Sequence, residues 1–209
     1  MSRLRVGVLI SGRGSNMEAL IRAAKNPDYP AEITLVLSNR PEAPGLEIAR
    51  ALGVEALAID HQPYGKATVQ REAHERAMDQ ALRARDIELV ALAGYMRVLT
   101  PWFVDAWRGR LINVHPSLLP AFPGLDTHAR ALAAGVRLHG CSVHLVSEGV
   151  DEGPILGQAA VPVLADDDET ALAARVLAAE HRLYPACLAR LAQGSAPVNP
   201  DPEALLISC

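Results

Sequence analysis

Short apolar runs alternate with helix-period stretches from the first residues of the chain, and that alternation narrows the folds open to it. Leu4–Ile10, Ile33–Leu37, Ala56–Ile59 and Leu89–Ala93 read as strands. The first and fourth are nearly continuous apolar runs, the pattern of parallel strands covered on both faces. Between them Asn16–Ala24, Gly45–Leu52 and Thr68–Arg85 read as helices. This βαβα order predicts an α/β fold, a doubly wound, mostly parallel sheet with helices on both faces.

The second half changes character. Leu111–His115 reads as another strand, followed by a loop carrying Pro116, Pro120 and Pro123. A short helix near Thr127–Ala134, strands at about His139–Val146 and Ile155–Val163, and a long helix over Glu169–Gln193 follow. No repeat or linker interrupts the 209 residues, so a single domain over 1–209 is expected, with halves at about 1–100 and 94–193. Pro197, Pro200 and Pro202 mark 194–209 as a loosely held tail.

Several function classes are disfavoured at this point. A net charge of -4 gives no basic excess to hold a nucleic-acid backbone. Cys141, Cys187 and Cys209 are odd in number and lack a C-x-x-C spacing, so neither a disulfide framework nor a zinc site is expected. Seven histidines form no H-x-x-x-H or Cys/His cluster, and no metal is expected. The N-terminus lacks the parts of a signal peptide, and no apolar run approaches the roughly 20 residues that span a bilayer. A soluble, cytoplasmic protein is the expectation.

Strand one runs straight into Ser11-Gly12-Arg13-Gly14-Ser15-Asn16, with a helix behind it. Glycines let the backbone turn tightly and approach a ligand, and a helix start offers free N–H groups to an anion. Ser15 and Asn16 add donors and can cap the helix. A plain turn with an N-cap and a phosphomonoester site both account for the loop. A dinucleotide fingerprint fits poorly: Met17 stands at its third glycine, and strand two ends Leu37-Ser38-Asn39-Arg40 with no acid for a ribose.

Asn113-Val114-His115 ends a strand, and residues two apart share a face. Both side chains therefore project from the C-terminal edge of the sheet, where open α/β folds hold ligands. An amide beside an imidazole suits a carbonyl that becomes an oxyanion, though a strand-end Asn and His also serve structure alone. Asp151-Glu152-Gly153-Pro154 reads as a turn between the two late strands, solvated or functional. Glu180 falls within the stripe Val176, Leu183, Tyr184 and Cys187 of the last helix, where a carboxylate must be paired or contact a ligand.

Together these segments resemble the phosphoribosylglycinamide formyltransferases, the folate-dependent glycinamide ribonucleotide transformylases of purine synthesis. The resemblance runs collinearly from about Leu4 to Leu191. Besides the Ser11–Asn16 loop it rests on Gly94-Tyr95-Met96-Arg97-Val98-Leu99 and on Asn113-Val114-His115-Pro116-Ser117-Leu118-Leu119-Pro120. His139-Gly140-Cys141-Ser142-Val143-His144 and Asp151-Glu152-Gly153-Pro154-Ile155 complete it. It implies a Rossmann-like formyltransferase fold and direct attack of the ribonucleotide amine on 10-formyltetrahydrofolate. Asn113 and His115 would stabilise the oxyanion, and Asp151 would assist proton transfer while favouring the imidazolium form of the histidine. Gly12, Arg13, Gly14, Ser15 and Asn16, with Arg71, would hold the substrate phosphate, and Glu180 the ribose hydroxyls. The folate would lie against Met96, Arg97, Val98 and Leu99 and contact Asn113, His144 and Asp151, its pterin near the 147–151 loop. The implied partners are glycinamide ribonucleotide and folate, with no metal, nucleic acid or membrane. A homodimer is left open.

Formyltetrahydrofolate hydrolases carry an extra N-terminal domain, and strand one begins at about Leu4. Methionyl-tRNA formyltransferases carry a C-terminal RNA-binding domain, and a short tail follows the last helix here. A non-catalytic nucleotide-binding regulator would explain the glycine loop but not Asn113, His115 and Asp151 together. A transferase is the expected reading.

Overall fold

Fourteen elements follow one another through the chain. They are β1 (Leu4–Ile10), α1 (Ser15–Ala24), β2 (Ala31–Ser38), α2 (Pro44–Ala51), β3 (Glu55–Ala58), a 3₁₀ turn (Gln62–Tyr64) and α3 (Thr68–Arg83). Then come β4 (Leu89–Leu92), α4 (Pro101–Ala106), β5 (Leu111–His115), α5 (Thr127–Ala133), β6 (Leu138–Leu145), β7 (Ile155–Pro162) and α6 (Glu169–Ala192). The structure is a computed structural model and describes residues 3–194. The tail assigned to 194–209, with Cys209, lies outside the described residues apart from Gly194. The strands make a seven-stranded sheet in the order β3-β2-β1-β4-β5-β6-β7. The chain divides into two compact units, Met1–Ile112 and Asn113–Cys209.

In the first unit β1 is the determining strand. Val6, Val8, Leu9 and Ile10 are fully buried, as a strand covered on both faces requires. β1 pairs in parallel with β2 on one side and with β4 on the other, and β2 pairs in parallel with β3. The strand order thus reverses beside β1, and the loops leaving β1 and β4 open at a topological switch point. Helix α2 starts on Pro44 at its first turn, where a missing N–H does no harm.

Two elements of this unit went unforeseen. α4 has six residues, too few to show a helical period, and it starts where Thr100 N–H and Oγ are both held by the Glu75 carboxylate. The 3₁₀ turn Gln62–Tyr64 is shorter still.

In the second unit β6 and β7 pair antiparallel, and α6 packs on both. Leu172, Val176, Leu183, Tyr184 and Leu188 form the buried stripe of α6. Asp168 caps that helix, its carboxylate accepting the Ala171 N–H at 2.7 Å. Among the described residues, no helix is long and apolar enough to cross a membrane.

Gly140 shows how closely β6 and β7 approach. A Cβ there would sit 1.9 Å from the Ala159 carbonyl oxygen, which is backbone and cannot swing aside. Gly140→Ala should lower unfolding free energy by about 3 kcal/mol, the upper end of overpacking losses. Urea denaturation measures this, and a midpoint equal to that of the parent protein would refute it.

Candidate active site

The loop after β1 reaches α1 through Gly14, whose φ of 69° is left-handed and costs glycine little. Gly14, not Ser15 or Asn16, occupies the N-cap position, and no side chain caps the helix. The expected cap is therefore corrected: Ser15 already lies inside the helix, where its side chain cannot fold back on the first N–H groups. The loop is seated from behind by α2. The Gly45 N–H donates to the Gly12 carbonyl at 3.1 Å. A Cβ on Gly45 would lie 2.5 Å from Ile10 Cδ1 and 2.9 Å from Gly12 O.

In front of the loop is a cavity of about 290 Å³, lined by Ser11 and the Gly12–Asn16 stretch together with Arg40, Ala93, Gly94 and Met96. Its charged lining is two guanidiniums, Arg13 and Arg40, with no carboxylate. Such a lining at a helix N-terminus suits an anion. Arg40 was not singled out from the sequence. The signal available was its place just past β2, at the strand edge where ligands gather.

Arg71 stands on α3 outside the lining of this cavity. It lies within electrostatic reach of Glu75, as does Arg97. Burial raises the Glu75 carboxyl above its ordinary value, against the hydrogen bonds of Thr100 and the two arginines. Met96 and Val98 are 68% and 63% exposed, an apolar surface that a flat ligand could cover, while Arg97 and Leu99 are half-buried.

The second unit gathers Asn113, His115, His144 and Asp151. His115, 5% exposed, points Nδ1 at Asp151 Oδ2, 3.2 Å away, and donates from Nε2 to the Phe122 carbonyl at 3.0 Å. Both contacts together take a hydrogen on each ring nitrogen. The sequence expectation aimed Asn113 and His115 at one oxygen, whereas here both His115 nitrogens face protein oxygens. His144 donates from Nδ1 to the Leu145 carbonyl at 2.8 Å. Its Nε2 lies 3.3 Å from Asn113 Nδ2 and 3.6 Å from Asp151 Oδ1, and a hydrogen on it would face the carboxylate. The Gly124 N–H donates to Asp151 Oδ2 at 2.9 Å.

Burial would raise the Asp151 carboxyl. The His144 hydrogen bond, the Gly124 N–H and the nearby imidazoles outweigh it, so the group sits below its ordinary value and is ionised at neutral pH. Phe122 and Asp151, which both contact His115, hold φ of 54° and 57°, left-handed values that cost a non-glycine residue conformational energy. The resemblance gave His144 a ligand contact only, whereas here it touches the site's carboxylate and amide. Alternation along β6, which puts Ser142 and His144 on one face, was the signal for it. Glu180 is buried on α6 in the same unit. No group of three or more His, Cys, Asp or Glu side chains is placed to hold a metal among the described residues.

The chain matches the family described as formyl transferase over residues 4–188. It is 43% identical to phosphoribosylglycinamide formyltransferase of Escherichia coli over 191 residues, 91% of this chain and 88% of that protein. It is 47% identical over 201 residues to the trifunctional purine biosynthetic protein adenosine-3 of Drosophila melanogaster, 95% of this chain and 15% of that protein. The chain thus spans less than a fifth of the length of such trifunctional relatives. The crystal structure of phosphoribosylglycinamide formyltransferase from Brucella melitensis is 54% identical and superimposes with a TM-score of 0.86, covering 91% of this chain and 96% of that one.

His139, with His74 and His128 lowered in the same direction by burial, contributes to the pH dependence of stability. Burial, then the neighbouring His128, pushes its imidazole down to about 4 from an ordinary 6.5. The unfolded chain takes up this proton near pH 6.5 and the folded one only near 4, so acid favours unfolding between the two. Unfolding free energy should fall as pH drops through that window, and His139→Gln should flatten the slope. Urea titrations at several pH values test this, and a flat parent profile would contradict it.

Proposed function

Because the chain belongs to the formyl transferase family and its Escherichia coli relative is named phosphoribosylglycinamide formyltransferase, we propose that it carries a formyl group from 10-formyltetrahydrofolate to the amine of glycinamide ribonucleotide. The observation that carries the reading is the half-buried, ionised Asp151 carboxylate set between two imidazoles beside the Asn113 amide. A general base, an electrophilic donor and an amide donor within one cluster are what acyl transfer to an amine requires.

In this reading the amine nitrogen attacks the formyl carbon and a C–N bond forms. The carbonyl oxygen becomes an oxyanion, and Asn113 Nδ2 and His115 Nε2 donate to it, His115 exchanging the Phe122 carbonyl for the substrate oxygen. Asp151 takes the proton that leaves the attacking amine. Collapse of the tetrahedral intermediate breaks the bond to the folate nitrogen, which takes that proton from Asp151 and leaves as tetrahydrofolate, returning Asp151 to its ionised form. Direct transfer of this kind draws most of its rate from holding amine and formyl carbon together, and no step calls for a metal.

The substrate phosphate goes to the Gly12–Asn16 loop with Arg71 as a further cation, and the ribose hydroxyls to Glu180. The folate goes to Met96–Leu99, with Asn113, His144 and Asp151 at its reacting end. Both units serve one formyltransferase domain, and the reaction is cytoplasmic and belongs to de novo purine synthesis.

Mixing the protein with 10-formyltetrahydrofolate and glycinamide ribonucleotide should change folate absorbance only when the ribonucleotide is present. Equal deformylation with water as sole acceptor would make the protein a hydrolase instead. Asp151→Asn should reduce turnover by about 10²–10⁴ while both ligands still bind. A variant with parental kcat would remove Asp151 from the mechanism.

A further inference from the structure

Ser11 carries the observation that reaches furthest beyond the assigned residues. Its side chain is 4% exposed and lines the anion cavity of the first unit, yet the motif reading gives it no contact with the ligand. Its Oγ accepts the Met96 N–H at 2.8 Å and lies 2.6 Å from one end of the Asn39 amide. The other end of that amide lies 3.2 Å from His61 Nδ1.

Two proton arrangements suit these heavy atoms, because the oxygen and nitrogen ends of an amide are told apart by their partners. In the first, the Asn39 oxygen faces Ser11 and its NH₂ faces His61. Ser11 then gives its only proton to Asn39. His61 Nδ1, however, also lies 2.8 Å from the Asn39 backbone carbonyl and 3.8 Å from Asp60 Oδ1, both of which only accept. A proton on Nδ1 serves those oxygens but opposes the NH₂, and a lone pair there opposes the oxygens. Asn39 is 2% exposed, so an NH₂ left without an acceptor in that place is costly.

The second arrangement turns the amide over. Nδ1–H of His61 then faces the backbone and side-chain oxygens of Asn39, and the Asn39 NH₂ donates to Ser11 Oγ. The 2.6 Å separation is short for an N–H donor, the one contact that favours the first arrangement. Against it stands His61 Nδ1 at 2.8 Å from the Asn39 carbonyl, which also accepts the His61 backbone N–H at 3.3 Å: a bare Nδ1 sets lone pair against lone pair there, and a protonated one leaves the buried NH₂ without its acceptor. With Asn39 and Met96 both donating to it, Ser11 Oγ has its own hydrogen left over, and the cavity is where it lies.

Resting on the phosphate reading of this loop, we propose that Ser11 is a phosphate-binding residue, its hydroxyl donating to the phosphomonoester while Asn39 and His61 fix it in the donating state. The proposal has two readouts. Nitrogen-15 NMR of His61 in the parent protein should find Nδ1 protonated at neutral pH, and Nδ1 bare of hydrogen would overturn the arrangement whether or not any variant folds. Calorimetry with glycinamide ribonucleotide, and with inorganic phosphate as second probe, should find both bound about 10- to 100-fold more weakly by Ser11→Ala, the loss of one hydrogen bond to a charged group. Folate affinity should fall less than ribonucleotide affinity, although Ser11→Ala also removes the acceptor of the Met96 N–H, whereas a general loosening of the loop and the Met96 backbone would weaken both ligands alike. Undiminished ribonucleotide affinity in Ser11→Ala, or equal loss for ribonucleotide and folate, overturns the Ser11 assignment alone. A parent protein that binds neither ribonucleotide nor phosphate overturns the phosphate reading and this one with it.

Discussion

The burial of β1 on both faces is the constraint on which the first unit rests. A strand with no solvent face must be covered above and below by helices, and parallel neighbours leave room for those crossovers. With β2 on one side and β4 on the other, the loops leaving β1 and β4 diverge at their C-terminal ends. A cavity is thus a by-product of topology before any side chain is chosen. What the sequence adds is glycine where the backbone must come close and arginine where an anion needs charge.

The second unit solves a different problem, that of keeping a carboxylate ionised where water is scarce. Asp151 is stabilised by one backbone N–H and faces two imidazoles, and each imidazole is itself oriented by a carbonyl, Phe122 O for His115 and Leu145 O for His144. Fixed partners of this kind need little reorganisation when charge moves, which is the main source of electrostatic catalysis. The left-handed φ at Phe122 and Asp151 is the conformational strain that goes with aiming these groups.

Much of this was legible in the chain because it follows from periodicity. Continuous apolar runs announced β1 and β4, and the two-residue spacing of Asn113 and His115 put them on one face. Other features escaped because they depend on contacts far apart in sequence. No local pattern says that Phe122 O will hold His115, that Glu75 will start α4 through Thr100, or that Arg40 will border the cavity while Arg71 does not. The cap expected at Ser15 and Asn16 failed for a local reason: Gly14 turns left-handed one residue earlier, so the helix begins before those side chains can serve it.

The seating of Gly12 against Gly45 separates two properties that proteins usually vary together. The loop's path is held by backbone, through the Gly45 N–H and a helix end with no room for a methyl group, while the space beyond the Gly12 Cα is empty. Shape is therefore inherited from α2, and charge is supplied by the side chains at positions 13 and 40. A lineage can change the residue at 13 and so retune how strongly the pocket attracts anions, without having to rediscover the loop.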